Sequence, residues 1–170
     1  MITLDDFETF PDFPVPGVLF YDISPILADP ELFRDACAQL TPPEAVDVVV
    51  GVDARGFIFA PVIAQSLNVG MAMVRKKGKL PGELLEADAT IEYGASELVL
   101  DPRGVAGQRV LVIDDVLATG GTALAVADML ERAGAASVQF SFLMEIEALK
   151  GRERLAGHGV LSAVQVPATD

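Results

Sequence analysis

Val110 to Thr122, VLVIDDVLATGGT, decides how this chain is read: four aliphatic residues, two adjacent carboxylates, then a turn of small residues that opens a helix. Val110–Ile113 suits a strand buried in a parallel sheet. Asp114 and Asp115 are then expected at its carboxyl end, where open α/β sheets place their ligands. Ala118, Thr119, Gly120, Gly121 and Thr122 carry no bulky side chain, so several backbone N–H groups can converge on a phosphate at the start of a helix predicted over 123–133. A helix terminus stabilises an exposed anion by about 0.3–1 kcal/mol and a partly buried one by up to about 2, so the hydrogen bonds must supply the rest. Phosphate is therefore one group of a larger ligand.

The paired aspartates point to the remainder of that ligand. Carboxylates repel phosphate but accept hydrogen bonds from a vicinal diol, and beside phosphates they can hold Mg²⁺ directly or through water. Together the two halves of the stretch describe a site for a ribose phosphate. No Gly-x-x-x-x-Gly-Lys-Ser/Thr and no strand-borne Gly-x-Gly-x-x-Gly occurs, so the competing phosphate motifs are absent.

Outward from this stretch, strand and helix patterns alternate as a doubly wound sheet requires. Helices are expected at 32–40, with Asp29-Pro30 at the start, and at 56–67, interrupted early by Pro61. Strands are expected at 46–52, 69–74, 109–113, 138–144 and 160–164, with a further pair around 87–91 and 97–100. The Pro-rich segment 11–25 reads as irregular. In the helix over 123–133, Leu124, Ala127 and Leu130 fall on one face and read as core.

The chain has 170 residues, 51% of them hydrophobic, enough to bury one substantial core in a single domain. Cys37 is the sole cysteine, so no disulfide can form within the chain, and its apolar helical setting suits a small core residue in a reducing compartment. MITLDDFETF has neither a basic n-region nor a long apolar run, which predicts no signal peptide and no membrane span. A net charge of −13 argues against nucleic acid. Against that background, Arg75, Lys76, Lys77 and Lys79 place four of the twelve Lys and Arg within five positions, just past an expected strand. Local cations of this kind can outweigh the distant acidic charge, because screening limits exposed charges to about 8 Å at physiological ionic strength.

VLVIDDVLATGGT resembles the phosphoribosyl-pyrophosphate (PRPP) signature of type I phosphoribosyltransferases. FPDFPVPGVLFYDISPI (10–26), GVDARGFIF (51–59), VRKKGKLP (74–81), IEYGASEL (91–98) and EIEALKGRERL (145–155) are similar, in that order, to segments of the adenine phosphoribosyltransferases. The resemblance covers nearly the whole chain. It implies the type I phosphoribosyltransferase fold: a mostly parallel open sheet flanked by helices, a small N-terminal hood over 1–30 that reads the base, and a flexible catalytic loop over 75–98, all in one domain over 1–170.

The implied reaction is purine salvage, in which adenine displaces pyrophosphate from PRPP to give AMP, with Mg²⁺ as cofactor. Asp114 and Asp115 would hold the ribose hydroxyls and oppose the positive charge on the sugar, and Ala118–Thr122 would hold the 5′-phosphate. Asp53, Ala54, Arg55, Arg75, Lys76 and Lys79 would bind pyrophosphate, with a non-proline cis peptide expected at Asp53–Ala54. Glu92, beside Tyr93 in the loop, would take the proton from adenine; read alone, Glu92 is a solvated strand-edge carboxylate. Leu19, Phe20 and Tyr21 would form the adenine site, and many members carry arginine where this chain has Tyr21. The resemblance further implies a cytoplasmic homodimer with small-molecule substrates and neither nucleic acid nor membrane as partner. Two alternatives stand: a transferase for another purine base, and a PRPP-sensing regulator without chemistry. His158 reads as part of a surface turn, and the charges of 145–154 as a solvated face.

Overall fold

The computed structural model describes residues 1–91 and 94–168. The chain opens with a two-stranded antiparallel ribbon, β1 (Glu8–Pro11) and β2 (Leu19–Asp22), followed by helices α1 (Ser24–Ala28) and α2 (Pro30–Leu40). Then come β3 (Val48–Val52), α3 (Gly56–Leu67), β4 (Gly70–Lys76), β5 (Leu85–Ile91), β6 (Gly94–Leu100), β7 (Arg109–Leu117), α4 (Gly121–Arg132), β8 (Ser137–Ile146) and β9 (Gly159–Val166). The seven-stranded sheet has the order β5-β6-β4-β3-β7-β8-β9. Its five strands β4, β3, β7, β8 and β9 are parallel, and β5 and β6 add an antiparallel edge.

All five residues of β3 are buried, because helices cover both faces of the sheet. Alternation divides them: Val48, Val50 and Val52 join Val110, Val112, Phe140 and Phe142 under α4, whereas Val49 joins Leu111, Ile113 and Leu143 under α2 and α3. Asp29 caps α2, its carboxylate accepting from the N–H groups of Glu31 at 2.8 Å and Leu32 at 3.0 Å. Pro61 does not interrupt α3. Burial of Phe59 and Ile63 contributes about 1.5–3 kcal/mol each, enough to offset the roughly 3 kcal/mol cost of an internal proline. Cys37 is buried and unbridged, and burial pushes its thiol up to about 11.

Several boundaries differ from the sequence expectations. β7 runs on through both aspartates to Leu117, because β8 continues to pair with it at Val116↔Met144 and Leu117↔Glu145. α4 begins two residues early, at Gly121. Leu124 is 45% exposed and is no core residue, while Ala127 and Leu130 are buried. The Pro-rich segment is not irregular throughout, since β2 lies within it and α1 begins at its end. Over 75–98, the expected loop is largely strand in its described residues: Arg75 and Lys76 end β4, and β5 and β6 form a hairpin. Lys77 Nζ ties the turn before that hairpin to it, 2.9 Å from Glu86 Oε2 and 3.4 Å from Glu97 Oε1. No helix among the described residues is long and apolar enough to cross a membrane.

Candidate active site

The connections from β3 and β7 run in opposite directions, through α3 to β4 and through α4 to β8. The carboxyl ends of these two neighbours are therefore a topological switch point, where an open α/β sheet leaves a crevice. Their ladder stops at Gly51↔Ile113, so the chain beyond it on each strand is free to splay. Asp53 and Arg55 follow β3 there; Asp114 and Asp115 occupy the last part of β7.

Asp114, Ala118, Thr119, Gly120, Gly121 and Thr122 line a cavity of about 200 Å³ with Phe142. Gly120 has φ +78° and precedes α4 without a side-chain cap, so the first N–H groups of the helix have no side-chain acceptor. A Cβ on Gly120 would sit 2.6 Å from the carbonyl oxygen of Gly151, and a Cβ on Gly151 would overlap the carbonyl oxygen of Ala118. Backbone rests on backbone, and only glycine fits on either side.

A second cavity of about 330 Å³ adjoins the first and is lined by Asp53, Ala54, Arg55, Lys76, Asp114, Asp115 and Thr122. The Asp53–Ala54 peptide is cis, as the resemblance implied. Arg55 Nε lies 2.7 Å from Asp115 Oδ2, but its N–H is not aligned on that oxygen, which is buried without a hydrogen-bond donor. Desolvation and the adjacent Asp115 charge raise the Asp114 carboxyl well above the usual range, opposed by the N–H of Asp115 and by Arg55. Two carboxylates forced together, one with an unserved oxygen, suit hydroxyl donors and positive charge. Among the described residues, no three His, Cys, Asp or Glu side chains converge as a metal cage. The pair therefore fits Mg²⁺ only where substrate oxygens and water supply most of the ligands.

The predicted cationic group is only partly assembled. Lys76 lines the cavity, while Arg75 turns to Asp53, with Nε 3.4 Å from Oδ2, and stacks over Phe57 at 5.7 Å. Lys79 is exposed in the turn after β4 and is not among the cavity's lining residues. Lys77, engaged with Glu86 and Glu97, is diverted to the hairpin.

Leu19, Phe20 and Tyr21 come together in a third cavity, of about 270 Å³, with Phe13, Arg55, Val116, Ala118, Met144 and Ile146. Phe20 meets Phe13 edge to face at 5.1 Å, and the Arg55 guanidinium lies 5.9 Å from its ring centroid. Tyr21 packs edge-on against Phe7 at 6.3 Å. Arg55 thus borders both the hydroxyl cavity and the apolar one. Glu92 and Tyr93 lie outside the described residues.

Sequence reasoning missed Gly151, which supports the small-residue turn, and the walls that Phe142, Met144 and Ile146 give to two cavities. The strand over 138–144 was visible, but only its register with β7 puts these side chains at the crevice. Nothing local marks Gly151. The reading of 145–154 as a solvated face also fails at its first residue, since Glu145 is 4% exposed and bound by Arg152.

Residues 32–157 match the phosphoribosyl transferase domain family. The adenine phosphoribosyltransferase of Mus musculus is 46% identical over 165 residues, 93% of this chain and 92% of that protein. The chain belongs to the adenine phosphoribosyltransferase family. Among solved structures, the family member from Rhodothermus marinus is 42% identical, with a TM-score of 0.87 over 95% of each chain. That from Giardia lamblia, complexed with 9-deazaadenine, is 35% identical, with a TM-score of 0.91 over 99% of this chain and 100% of the other. The mixed α/β architecture and mostly parallel sheet are those of the family's type I phosphoribosyltransferase structures.

Proposed function

We propose that this enzyme transfers the 5-phosphoribosyl group of PRPP to adenine, giving AMP and pyrophosphate, with the three adjoining cavities as its 5′-phosphate, pyrophosphate and base subsites. The observation behind this is that the cavities adjoin: the first and second share Asp114 and Thr122, the second and third share Arg55, and the first and third share Val116 and Ala118, as a ligand with a phosphate at one end, a ribose in the middle and a purine at the other requires. The 5′-phosphate sits on the backbone of Ala118–Thr122 at the start of α4. Asp114 and Asp115 accept from the ribose hydroxyls.

In the reaction the base nitrogen forms a bond to the anomeric carbon as the bond to pyrophosphate breaks. Positive charge builds on the sugar, beside two carboxylates whose mutual repulsion it relieves. Negative charge builds on the leaving group, where Arg55 and Lys76 receive it and Arg75, held by Asp53, completes the cationic side. Asp114 and Asp115 are the residues that would hold Mg²⁺, directly or through water, and the ion would add positive charge toward the leaving group. Glu92 takes the proton that the base releases. The base lies between Phe20 and the Met144–Ile146 wall, its polar edge read by backbone groups around Leu19–Tyr21. That arrangement tolerates Tyr21 in place of arginine.

The assignment includes a homodimer, for which the exposed apolar residues Val62, Met71 and Met73 on α3 and β4 offer a surface, and a cytoplasmic setting, which suits the unbridged Cys37. The test is AMP formation from adenine and PRPP with Mg²⁺ and with a chelator in its place. Turnover that needs both substrates and is lost with chelator is expected; PRPP binding without turnover would favour a regulator. Glu92→Gln should lower kcat and leave the KM for PRPP unchanged.

A further inference from the structure

Two charged residues that touch none of the three cavities are built into the wall behind the phosphate turn. Glu145, near the end of β8, is buried and accepts from four donors: Arg152 Nε at 2.9 Å and Nη2 at 2.5 Å, Ser162 Oγ at 2.7 Å and Gln165 Nε2 at 3.3 Å. The Arg152 fork takes both carboxylate oxygens and also reaches the carbonyl of Val160 through Nη1 at 2.8 Å. Arg152 therefore binds a short 3-10 turn, Gly151–Leu155, to β8 and β9. The residue just before Arg152 in that turn is Gly151, whose backbone lies against Ala118 and Gly120 so closely that neither glycine can gain a Cβ. Leu117, the β7 partner of Glu145 in register, meets Gly151 as well.

We propose that Glu145 and Arg152 are positioning residues for the 5′-phosphate: by fixing Gly151 they hold the backbone of Ala118–Gly120 in the conformation that presents its N–H groups. This rests on the reading of Ala118–Thr122 as the phosphate subsite. The bidentate pair is suited to the task because it fixes both distance and plane, which a lysine could not do. Arg152 also holds the Glu145 carboxyl below the usual range. Phosphate binding through backbone donors depends on their placement, and a shift of about 1 Å can cost on the order of 10²-fold.

The test compares wild-type enzyme with Arg152→Ala, Arg152→Lys and Glu145→Gln, measuring KM for each substrate, kcat, and competition by inorganic phosphate against PRPP. Arg152→Ala should raise the KM for PRPP and the inhibition constant for phosphate together by about tenfold or more, with the KM for adenine unchanged. Arg152→Lys, which keeps the charge but not the fork, should fall between. A role in folding alone would lower apparent kcat and melting temperature and leave both KM values at wild-type, and that result overturns the proposal. If Arg152→Ala does not fold, Arg152→Lys decides, since an unchanged KM for PRPP and unchanged phosphate inhibition refute it. Wild-type enzyme that fails to make AMP would remove the reaction assignment instead, and direct calorimetric titration of the variants with inorganic phosphate would still test the support of the turn.

Discussion

The end of the site proposed for the phosphate and the end proposed for the base are built in opposite ways. The phosphate cavity comes chiefly from one run of chain, Asp114–Ala123, closed by Phe142, with its turn locked by the Gly120–Gly151 contact. The base cavity draws on four distant stretches, around residues 13–21, 55, 116–118 and 144–146, and one wall is a two-stranded ribbon with Phe13 53% and Leu19 46% exposed. A backbone site on a buried sheet admits one geometry. A side-chain site on an exposed ribbon can change residue by residue, which leaves room for Tyr21 where the resemblance leads one to expect arginine. With the subsites proposed above, the invariant part of the substrate, the phosphate, would meet the rigid end, and the part that distinguishes purines would meet the adaptable one.

Arg55 is the one residue that lines both the second cavity and the third, so its removal should have the largest effect. Arg55→Met should lower kcat/KM by about 10²–10³-fold and raise KM for both substrates, since it loses charge at the leaving group and the cation over Phe20. Gly120→Ala should come next, with a loss on the order of 10²-fold confined to PRPP, because the added Cβ meets Gly151 at a positive φ. Steady-state kinetics with each substrate varied in turn separates the two patterns. Phe20→Leu should raise the KM for adenine alone, by about two- to tenfold, the value of one aromatic contact. An equal rise for PRPP would mean the two ends are not independent.

The smallest effect is expected at the far end of the same two strands. Asp47, before β3, is bound by Arg109 at the start of β7 through contacts of 2.8 and 2.6 Å, and that arginine holds its carboxyl down to about 2 from an ordinary 3.8. The pair thus stabilises the fold above pH 3.8 and ceases to as the pH falls through about 2. Asp47→Asn should leave kcat and both KM values intact, lower the melting temperature slightly at neutral pH, and flatten the acid limb of the stability curve. A changed KM would mean that the site senses the opposite ends of β3 and β7.

The same division decides what could be read from the chain. α3 over Gly56–Leu67, the Asp29 cap and the Ala118–Thr122 turn were visible because each is specified by neighbours in sequence. The extension of β7 through two aspartates was not, because it depends on pairing with β8, and adjacent carboxylates taken locally read as a strand end. Leu124 fits the apolar stripe of α4, yet the first turn of that helix projects toward Glu86 and Asp88 at the edge hairpin. Glu145 looked like solvated charge because its partners, Arg152, Ser162 and Gln165, lie beyond any local period. Of the expected cations, Lys76 reached the cavity while Lys79 did not, a distinction that turns on where β4 ends.

In the proposed function a fixed phosphate site is joined to a base site selective for adenine without an arginine at position 21. Pyrophosphate release from PRPP and Mg²⁺, measured separately with adenine, hypoxanthine, guanine and xanthine, tests it most directly. Turnover with adenine alone is the predicted result. Comparable turnover with any other base would contradict it and place the loss of discrimination at Tyr21.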